Sequence, residues 1–169
     1  MNIRKLVINS LLLAVGTILH QMTPPLFLGM KPDFSLAMLF IIMILNEDYK
    51  SCMCAGIIAG VLSAATTGFP GGQIPNVVDK IVTTNVMFLL LKPFRQKLNS
   101  QIKIMITTAI GTFISGIVFL SAAFVIVGLP TSFKALVLSV VIPAVVINTI
   151  AAVVLFNAVN AAIKRRAAA

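Results

Sequence analysis

Long apolar segments follow one another along almost the whole chain, separated by short polar or Gly- and Pro-rich connections. Hydrophobic residues make up 59% of the 169 residues, charged residues 10%, and the mean hydropathy is +1.08. One core could not bury this much apolar surface in a soluble domain, so lipid must cover the remainder. The sequence therefore predicts an all-α integral membrane protein with six transmembrane helices.

Gly, Pro and charged residues divide the apolar sequence into six predicted spans within a single domain, residues 1–166. We expect the final alanines, 167–169, to be a cloning scar. The predicted spans are 5–21, 32–46, 52–66, 76–91, 104–127 and 133–163. The stretch 67–75 is too rich in Gly and Pro to be predicted as helix. The apolar parts of the second, third and fourth spans are shorter than the roughly 18 residues usually required, so their polar ends need an explanation.

Basic side chains predict the orientation of the spans. Ten of the 13 fall on one face, namely Arg4, Lys5, Lys50, Lys92, Arg95, Lys97, Lys103, Lys164, Arg165 and Arg166. By the positive-inside rule both termini are predicted to lie in the cytoplasm of a bacterial cell. Because these residues lie between apolar runs, membrane topology explains the net charge of +9 without a nucleic-acid partner.

Polar side chains collect at the opposite, outer face. They are His20, Lys31, Asp33, Gln73, Asn76, Asp79 and Lys80. An ionisable group at membrane depth costs roughly 2.5 to 3.5 kcal/mol and usually faces a cavity or a charged partner. The cluster predicts an outward-facing pocket, which also explains why these spans have short apolar runs.

The fourth span carries one polar face. Asn76, Asp79, Lys80 and Thr83 are spaced as i, i+3, i+4 and i+7, which places them on one side of a helix. Pro75 suits the first turn, so the positive end of this helix is predicted to attract a carboxylate. Asp79 and Lys80 diverge by about 100° around the helix. We therefore predict that they do not neutralise each other and that each has a partner elsewhere.

This chemistry suits a zwitterion with an apolar body, such as an α-amino acid with a large side chain. The alternative is that the lysines and aspartates form structural ion pairs, with His20 as a helix-end cap. Asn148, deep in the sixth span, is predicted either to contact the ligand or to join helices. Other polar groups are predicted to serve packing: Thr108, Thr112 and Ser115 by bonding to backbone, and Gly56 and Gly60 by close helix contact.

The chain resembles the TrpP family of tryptophan-uptake proteins, the substrate-binding S components of energy-coupling-factor (ECF) transporters. The resemblance covers nearly the whole chain and rests on these pieces: His20 with Pro24-Pro25, Gly29-Met-Lys-Pro-Asp33, Phe69-Pro70, Gly72-Gln-Ile-Pro-Asn76, Asp79-Lys80, Ser115-Gly-Ile-Val118, Val127-Gly-Leu-Pro130, and Pro143 with Asn148-Thr149. It implies a six-helix S-component fold that binds its ligand near the outer face.

The resemblance also implies partners: a transmembrane coupling subunit and two cytoplasmic ATPases. The chain has no G-x-x-x-x-G-K-[ST] phosphate loop, which agrees with ATP hydrolysis by another subunit. Such proteins dock through small residues of the first span, often Ala-x-x-x-Ala. The nearest equivalent here is Ser10 and Ala14, so this sequence departs from the Ala-x-x-x-Ala pattern.

The leading hypothesis is high-affinity binding of L-tryptophan. The residues assigned to the site are Lys80 or Lys31 for the carboxylate, Asp79 or Asp33 for the ammonium, Phe27 and Met30 beside the indole, and Gln73, Asn76 or Asn148 for its N–H. The alternative is a proton-coupled secondary amino-acid transporter that acts as an oligomer. An enzyme is not predicted, because the chain offers one histidine and no paired general acid and base. No cofactor or metal is predicted.

Overall fold

A computed structural model describes residues 3–24, 31–95 and 98–168, and all regular structure in these ranges is helical. The helices are α1 Ile3–Met22, α2 Phe34–Leu45, α3 Tyr49–Ala65, α4 Gln73–Leu91, α5 Ser100–Ile126, α6 Phe133–Leu136 and α7 Ile142–Ala168. A 3₁₀ turn, Lys92–Phe94, continues α4, and a π-helical turn, Val137–Val141, joins α6 to α7. The described chain therefore forms six helical rods, the last one built from α6, the π turn and α7.

Four stretches within these rods are long and apolar enough to cross a membrane, namely Lys5–Met22, Gln73–Phe94, Ser100–Ile126 and Phe133–Arg165. The other two helices, α2 and α3, have 12 and 17 residues and fall below that length. The predicted all-α membrane fold is confirmed. Six complete spans remain a prediction.

Helix α2 is short because it lies inside the bundle. It packs against α1, α3, α5 and α7, and its residues from Ser35 to Met43 are all buried. Phe40 is fully buried. A Cβ atom added to Gly111 of α5 would lie 2.2 Å from the Phe40 ring, so a glycine is needed for this approach. A helix shielded from lipid need not match the bilayer thickness by itself.

Aspartate caps begin α2 and α3. The Asp33 carboxylate accepts the backbone N–H of Leu36 at 3.0 Å, and the Asp48 carboxylate accepts the backbone N–H of Ser51 at 3.0 Å. Such caps satisfy N–H groups that have no partner within the helix. Hydrogen bonds from the Ser51 side chain and backbone hold the pKa of Asp48 below its usual range.

Several helices begin earlier than the sequence predicts. Helix α3 begins at Tyr49 instead of residue 52, and α5 at Ser100 instead of residue 104. The prediction that 67–75 is entirely non-helical was wrong for its last three residues, because α4 begins at Gln73. Pro75 is the third residue of α4, where the missing N–H costs no helical hydrogen bond. This longer α4, with the turn that follows, meets the length of a span.

The seam between α3 and α4 confirms the predicted close contact. A Cβ atom added to Gly56 would lie 2.3 Å from the Thr84 hydroxyl oxygen, and one added to Gly60 would lie 3.2 Å from the Val77 Cα. The same Cβ at Gly60 would lie 3.3 Å from the Cβ of Lys80. The glycine pair therefore brings the backbone of α3 against the part of α4 that carries Lys80.

Polar contacts tie the helices together at the end of the bundle that carries most basic residues. Asn46, which follows α2, donates to Asn9 of α1 at 3.1 Å. Its backbone carbonyl accepts a hydrogen bond from Arg95 at 3.0 Å. The Arg95 guanidinium also lies 5.0 Å from the centre of the Phe88 ring, a cation–π contact. The other end, where α1 finishes and α2 begins, carries the acidic residues Asp33 and Asp79.

Candidate ligand-binding site

A cavity of about 110 Å³ opens among the helices at the end where α1 finishes and α2 begins. Its charged and polar lining includes His20, Lys31, Asp33, Ser63, Thr67, Asn76, Asp79, Lys80, Thr112, Ser115 and Asn148. Its apolar lining includes Leu36, Phe69, Phe119, Leu120, Val140, Val141 and Ala144. Each helix except α6 contributes to these two groups.

The charged wall of the cavity is formed by Asp33, Asp79 and Lys80, with Lys80 at its centre. Its ammonium nitrogen is 2.6 Å from Oδ2 of Asp33 and 2.7 Å from Oδ2 of Asp79, and its side chain is 2% exposed. The prediction that Asp79 and Lys80 do not neutralise each other was wrong. The lysine has a long flexible stem that brings its nitrogen back to its neighbour. Each residue also has a partner elsewhere, as predicted.

Asp79 is fully enclosed by hydrogen-bond donors. Its Oδ1 accepts the Thr83 hydroxyl at 2.8 Å, and its Oδ2 accepts the Ser115 hydroxyl at 2.7 Å as well as the Lys80 ammonium. The prediction that Ser115 bonds to backbone was therefore wrong. The hydrogen bond joins α4 to α5, and only the three-dimensional arrangement reveals it, since the two residues lie 36 positions apart.

Asp33 combines a structural role with access to the cavity. Besides capping α2, its Oδ1 accepts the Ser35 hydroxyl at 2.5 Å. The Nδ1 atom of His20 lies 3.6 Å from the same oxygen and 3.0 Å from the Pro32 carbonyl oxygen. His20 thus ties the end of α1 to the segment before α2 and does not cap its own helix. The Asp33 side chain is 16% exposed, compared with 2% for Asp79.

The remaining predicted residues divide into two groups. Lys31 and Asn76 line the cavity, and the Asn76 amide donates to the Gly72 carbonyl at 2.7 Å. Gln73 is exposed at the start of α4 and Thr83 is buried beneath Asp79, and neither lines the cavity. The predicted indole neighbours, Phe27 and Met30, lie outside the described residues.

The cavity lining includes a pair of aromatic rings to which the sequence analysis gave no role. The rings of Phe69, in the loop before α4, and Phe119, on α5, meet edge to face with centroids 5.6 Å apart. Val141 of the π turn packs close to Gly116 of α5, where an added Cβ would lie 2.6 Å from a Val141 methyl carbon. The π turn that brings Val140 and Val141 into the cavity lining has no signature in single residues of the sequence.

Asn148 joins α7 to α5 and also lines the cavity. Its Nδ2 donates to the Thr112 hydroxyl oxygen at 3.4 Å. The predicted backbone bond of Thr112 is replaced by this contact between helices, and the buried Thr108 hydroxyl has no partner among the described residues. Both roles considered for Asn148 from the sequence are therefore compatible with its position.

The charges of the cavity suit a zwitterion. Lys80 lies between two carboxyl groups, and Asp33, the more exposed of the two, offers acceptor oxygens to an ammonium group. Lys31 adds a second positive charge to the lining, and a carboxylate is the natural partner for it. The rest of the lining is largely apolar and includes the rings of Phe69 and Phe119, which suits a ligand with a hydrophobic ring.

The fold and the site define a multi-pass helical membrane protein with a small cavity lined by both charged and apolar side chains. The sequence matches the family described as tryptophan transporter TrpP over residues 2–164. The chain belongs to this family of transporters.

Individual relatives support the assignment. The chain is 61% identical to a probable tryptophan transport protein of Clostridium acetobutylicum over 84% of this chain and 83% of that protein. It is 47% identical to a protein of the same description from Clostridium perfringens, over 83% and 82% of the two chains. A third, from Bacillus subtilis, is 44% identical over 84% and 82%. No solved structure matches the chain.

Proposed function

We propose that this chain binds L-tryptophan with high affinity at the cavity and is the S component of an ECF-type, ATP-driven uptake system in the bacterial cell membrane. The observation that carries the proposal is the position of Lys80 between Asp33 and Asp79 in a cavity whose lining also includes apolar and aromatic side chains. Family membership supports tryptophan as the ligand. The chain then functions as one domain, residues 1–166, with both termini in the cytoplasm.

Within this site Asp33 and Lys31 are the better candidates for direct contact. Asp33 is the more exposed of the two aspartates and keeps an edge toward the cavity, so it holds the ligand ammonium. Lys31 and the first turn of α4 hold the carboxylate. Asp79 and Lys80 are saturated by each other and by neighbouring groups, so they fix the geometry of the charged wall.

In the S-component role, a coupling subunit and two cytoplasmic ATPases supply the energy. The sequence contains no phosphate loop, which agrees with this division of labour. Ser10 and Ala14 are exposed on α1, and this face is the proposed contact with the coupling subunit. Small residues allow close helix approach in lipid.

Binding is tested with purified protein and the fluorescence of the ligand. The chain contains no Trp, so tryptophan emission reports the ligand without background. We expect saturable binding that is weakened at least about tenfold by Asp33→Asn, since a charge-assisted contact contributes roughly 1.5 to 3 kcal/mol. Asp48→Asn is the matched control, because Asp48 also caps a helix but lies far from the cavity. Equal affinity in all three proteins would contradict the assignment of Asp33.

Energy coupling is tested in vesicles. We expect tryptophan uptake only when this chain is reconstituted with a coupling subunit and ATPases and supplied with ATP. Uptake by this chain alone, driven by a pH gradient, would instead support a proton-coupled secondary transporter that uses Asp33 or Asp79 as the proton carrier. Binding without any uptake in the complete system would contradict the transport role.

A further inference from the structure

The side-chain oxygen of Asn148 is a buried acceptor without a partner. Asn148 is 1% exposed, its Nδ2 donates to Thr112, and its Oδ1 accepts no hydrogen bond from any residue that the structure describes. Buried polar atoms are nearly always paired, and leaving one unpaired is costly. An unpaired acceptor in the lining of a cavity therefore suggests that the ligand brings the donor.

This acceptor lies on a different helix from the charged groups of the cavity. The charged groups, Lys31, Asp33, Asp79 and Lys80, come from the segment before α2 and from α4, whereas Asn148 lies on α7, one turn from Ala144 along the cavity lining. The two hydroxyl groups of α5 that line the cavity are engaged, Ser115 with Asp79 and Thr112 with Asn148. Among the cavity-lining side chains that the structure describes, the Asn148 oxygen is thus the one buried polar atom left without a partner.

We propose that Asn148 accepts the N–H of the ligand's indole ring and so determines specificity for tryptophan over other apolar amino acids. This inference rests on the proposed function. An indole carries one donor on a large apolar ring, which matches one unpaired acceptor in a cavity with a largely apolar remaining lining. Phenylalanine fits the same wall but leaves the oxygen unpaired, and a site built around a hydrogen bond rejects analogues that lack it.

The other side chains considered for this role are less suitable. Gln73 is exposed and does not line the cavity. Asn76 lies on α4, close to the charged residues, and is only half-buried, so an unpaired oxygen there costs less than the buried oxygen of Asn148. An indole N–H directed to Asn76 would place the ring on the charged wall.

The test compares tryptophan with 3-(benzothiophen-3-yl)-L-alanine, in which sulfur replaces the N–H and the charged groups are unchanged. We expect wild-type protein to bind tryptophan at least about tenfold more tightly, the loss typical of one unpaired buried group. Asn148→Leu keeps the approximate volume but removes the acceptor, so the two ligands should then bind within about threefold of each other. Thr149→Val is the matched control, since the Thr149 hydroxyl bonds to its own helix at Val145 and the preference should persist.

Direct observation of the N–H covers the case in which the leucine variant does not fold. With tryptophan labelled by ¹⁵N at the indole, the bound N–H proton of the wild type should shift downfield and exchange slowly with water. Equal affinity of wild type for both ligands, a preference that survives in Asn148→Leu, or a rapidly exchanging bound N–H would each overturn the role of Asn148. Absence of any tryptophan binding to wild type would instead contradict the proposed function itself.

Discussion

The ammonium of Lys80 lies 2.6 Å from Oδ2 of Asp33, so an ion pair joins the middle of α4 to the residue that caps α2. Since Lys80 also contacts Asp79, one buried cation holds two carboxylates in place. Removing one partner of a buried ion pair leaves an uncompensated charge, which costs far more than the pair contributes. The stability of the bundle and the shape of its cavity are therefore linked through Lys80.

Replacing Lys80 with Met should destabilise the protein strongly. The change leaves two adjacent carboxylates without their cation, and breaking a buried pair costs roughly 3 to 5 kcal/mol. We expect a clearly lower thermal unfolding midpoint in detergent and loss of tryptophan binding. Lys134→Met is the matched control, because Lys134 is exposed and its substitution should leave both measurements near wild type. Unchanged unfolding of Lys80→Met would show that the two carboxylates do not depend on Lys80.

Replacing Ser115 with Ala should have a smaller effect in the same direction. Oδ2 of Asp79 loses one donor but keeps Lys80, and a hydrogen bond to a charged group contributes about 1.5 to 3 kcal/mol. We expect a lower free energy of unfolding by that amount in denaturant titration. Ser121→Ala on the exposed face of the same helix should change it little. Equal stability of the two variants would contradict the bond between α5 and Asp79.

Hydropathy and residue spacing predicted much of this molecule, because both depend on the local sequence. The all-α membrane fold, the grouping of Asp33, Asn76, Asp79 and Lys80 at one end of the bundle, and the glycine seam of α3 followed from periodicity and from the cost of charges in lipid. The short α2 was the informative exception. Its length reflects enclosure by other helices, a property that its own hydropathy cannot express.

Contacts between distant helices were not predictable in the same way. The Ser115 hydroxyl was assigned to its own backbone, as is usual in a membrane helix, because nothing local indicates an aspartate on another helix. The Asp79–Lys80 contact was missed for a different reason. Helical geometry fixes the directions of the Cβ atoms. A long lysine side chain can nevertheless turn back toward a neighbouring residue whose Cβ points in a different direction.

The glycine seam makes a prediction for packing. Gly56→Ala should destabilise the protein by about 1 to 3 kcal/mol, the usual cost of overpacking, because the added Cβ would meet the Thr84 hydroxyl oxygen. Adding Thr84→Ala removes that atom and should restore part of the loss. The test is a double-mutant cycle of unfolding free energies, in which we expect a coupling energy clearly different from zero. Strictly additive effects would contradict direct contact between these positions.

The contact between Gly116 and Val141 should set the size of the apolar part of the cavity. Gly116 lines the cavity, and an added Cβ would come within 2.6 Å of a Val141 methyl carbon, so Gly116→Ala must push Val141 or shift α5. A narrower wall penalises a two-ring side chain more than a one-ring side chain. We expect the affinity for tryptophan to fall about tenfold or more, which starts at the lower end of the range for one methylene in an apolar pocket, with a smaller change for phenylalanine. Calorimetric titration of both amino acids measures the ratio of their affinities. Gly128→Ala is a control for an added methyl group, since nothing lies within 4 Å of a Cβ at this position. The φ of +85° at Gly128 means that this variant has backbone strain, which lowers stability without changing the affinity ratio. An equal loss for both ligands in Gly116→Ala would show that this contact acts on stability and not on the shape of the site.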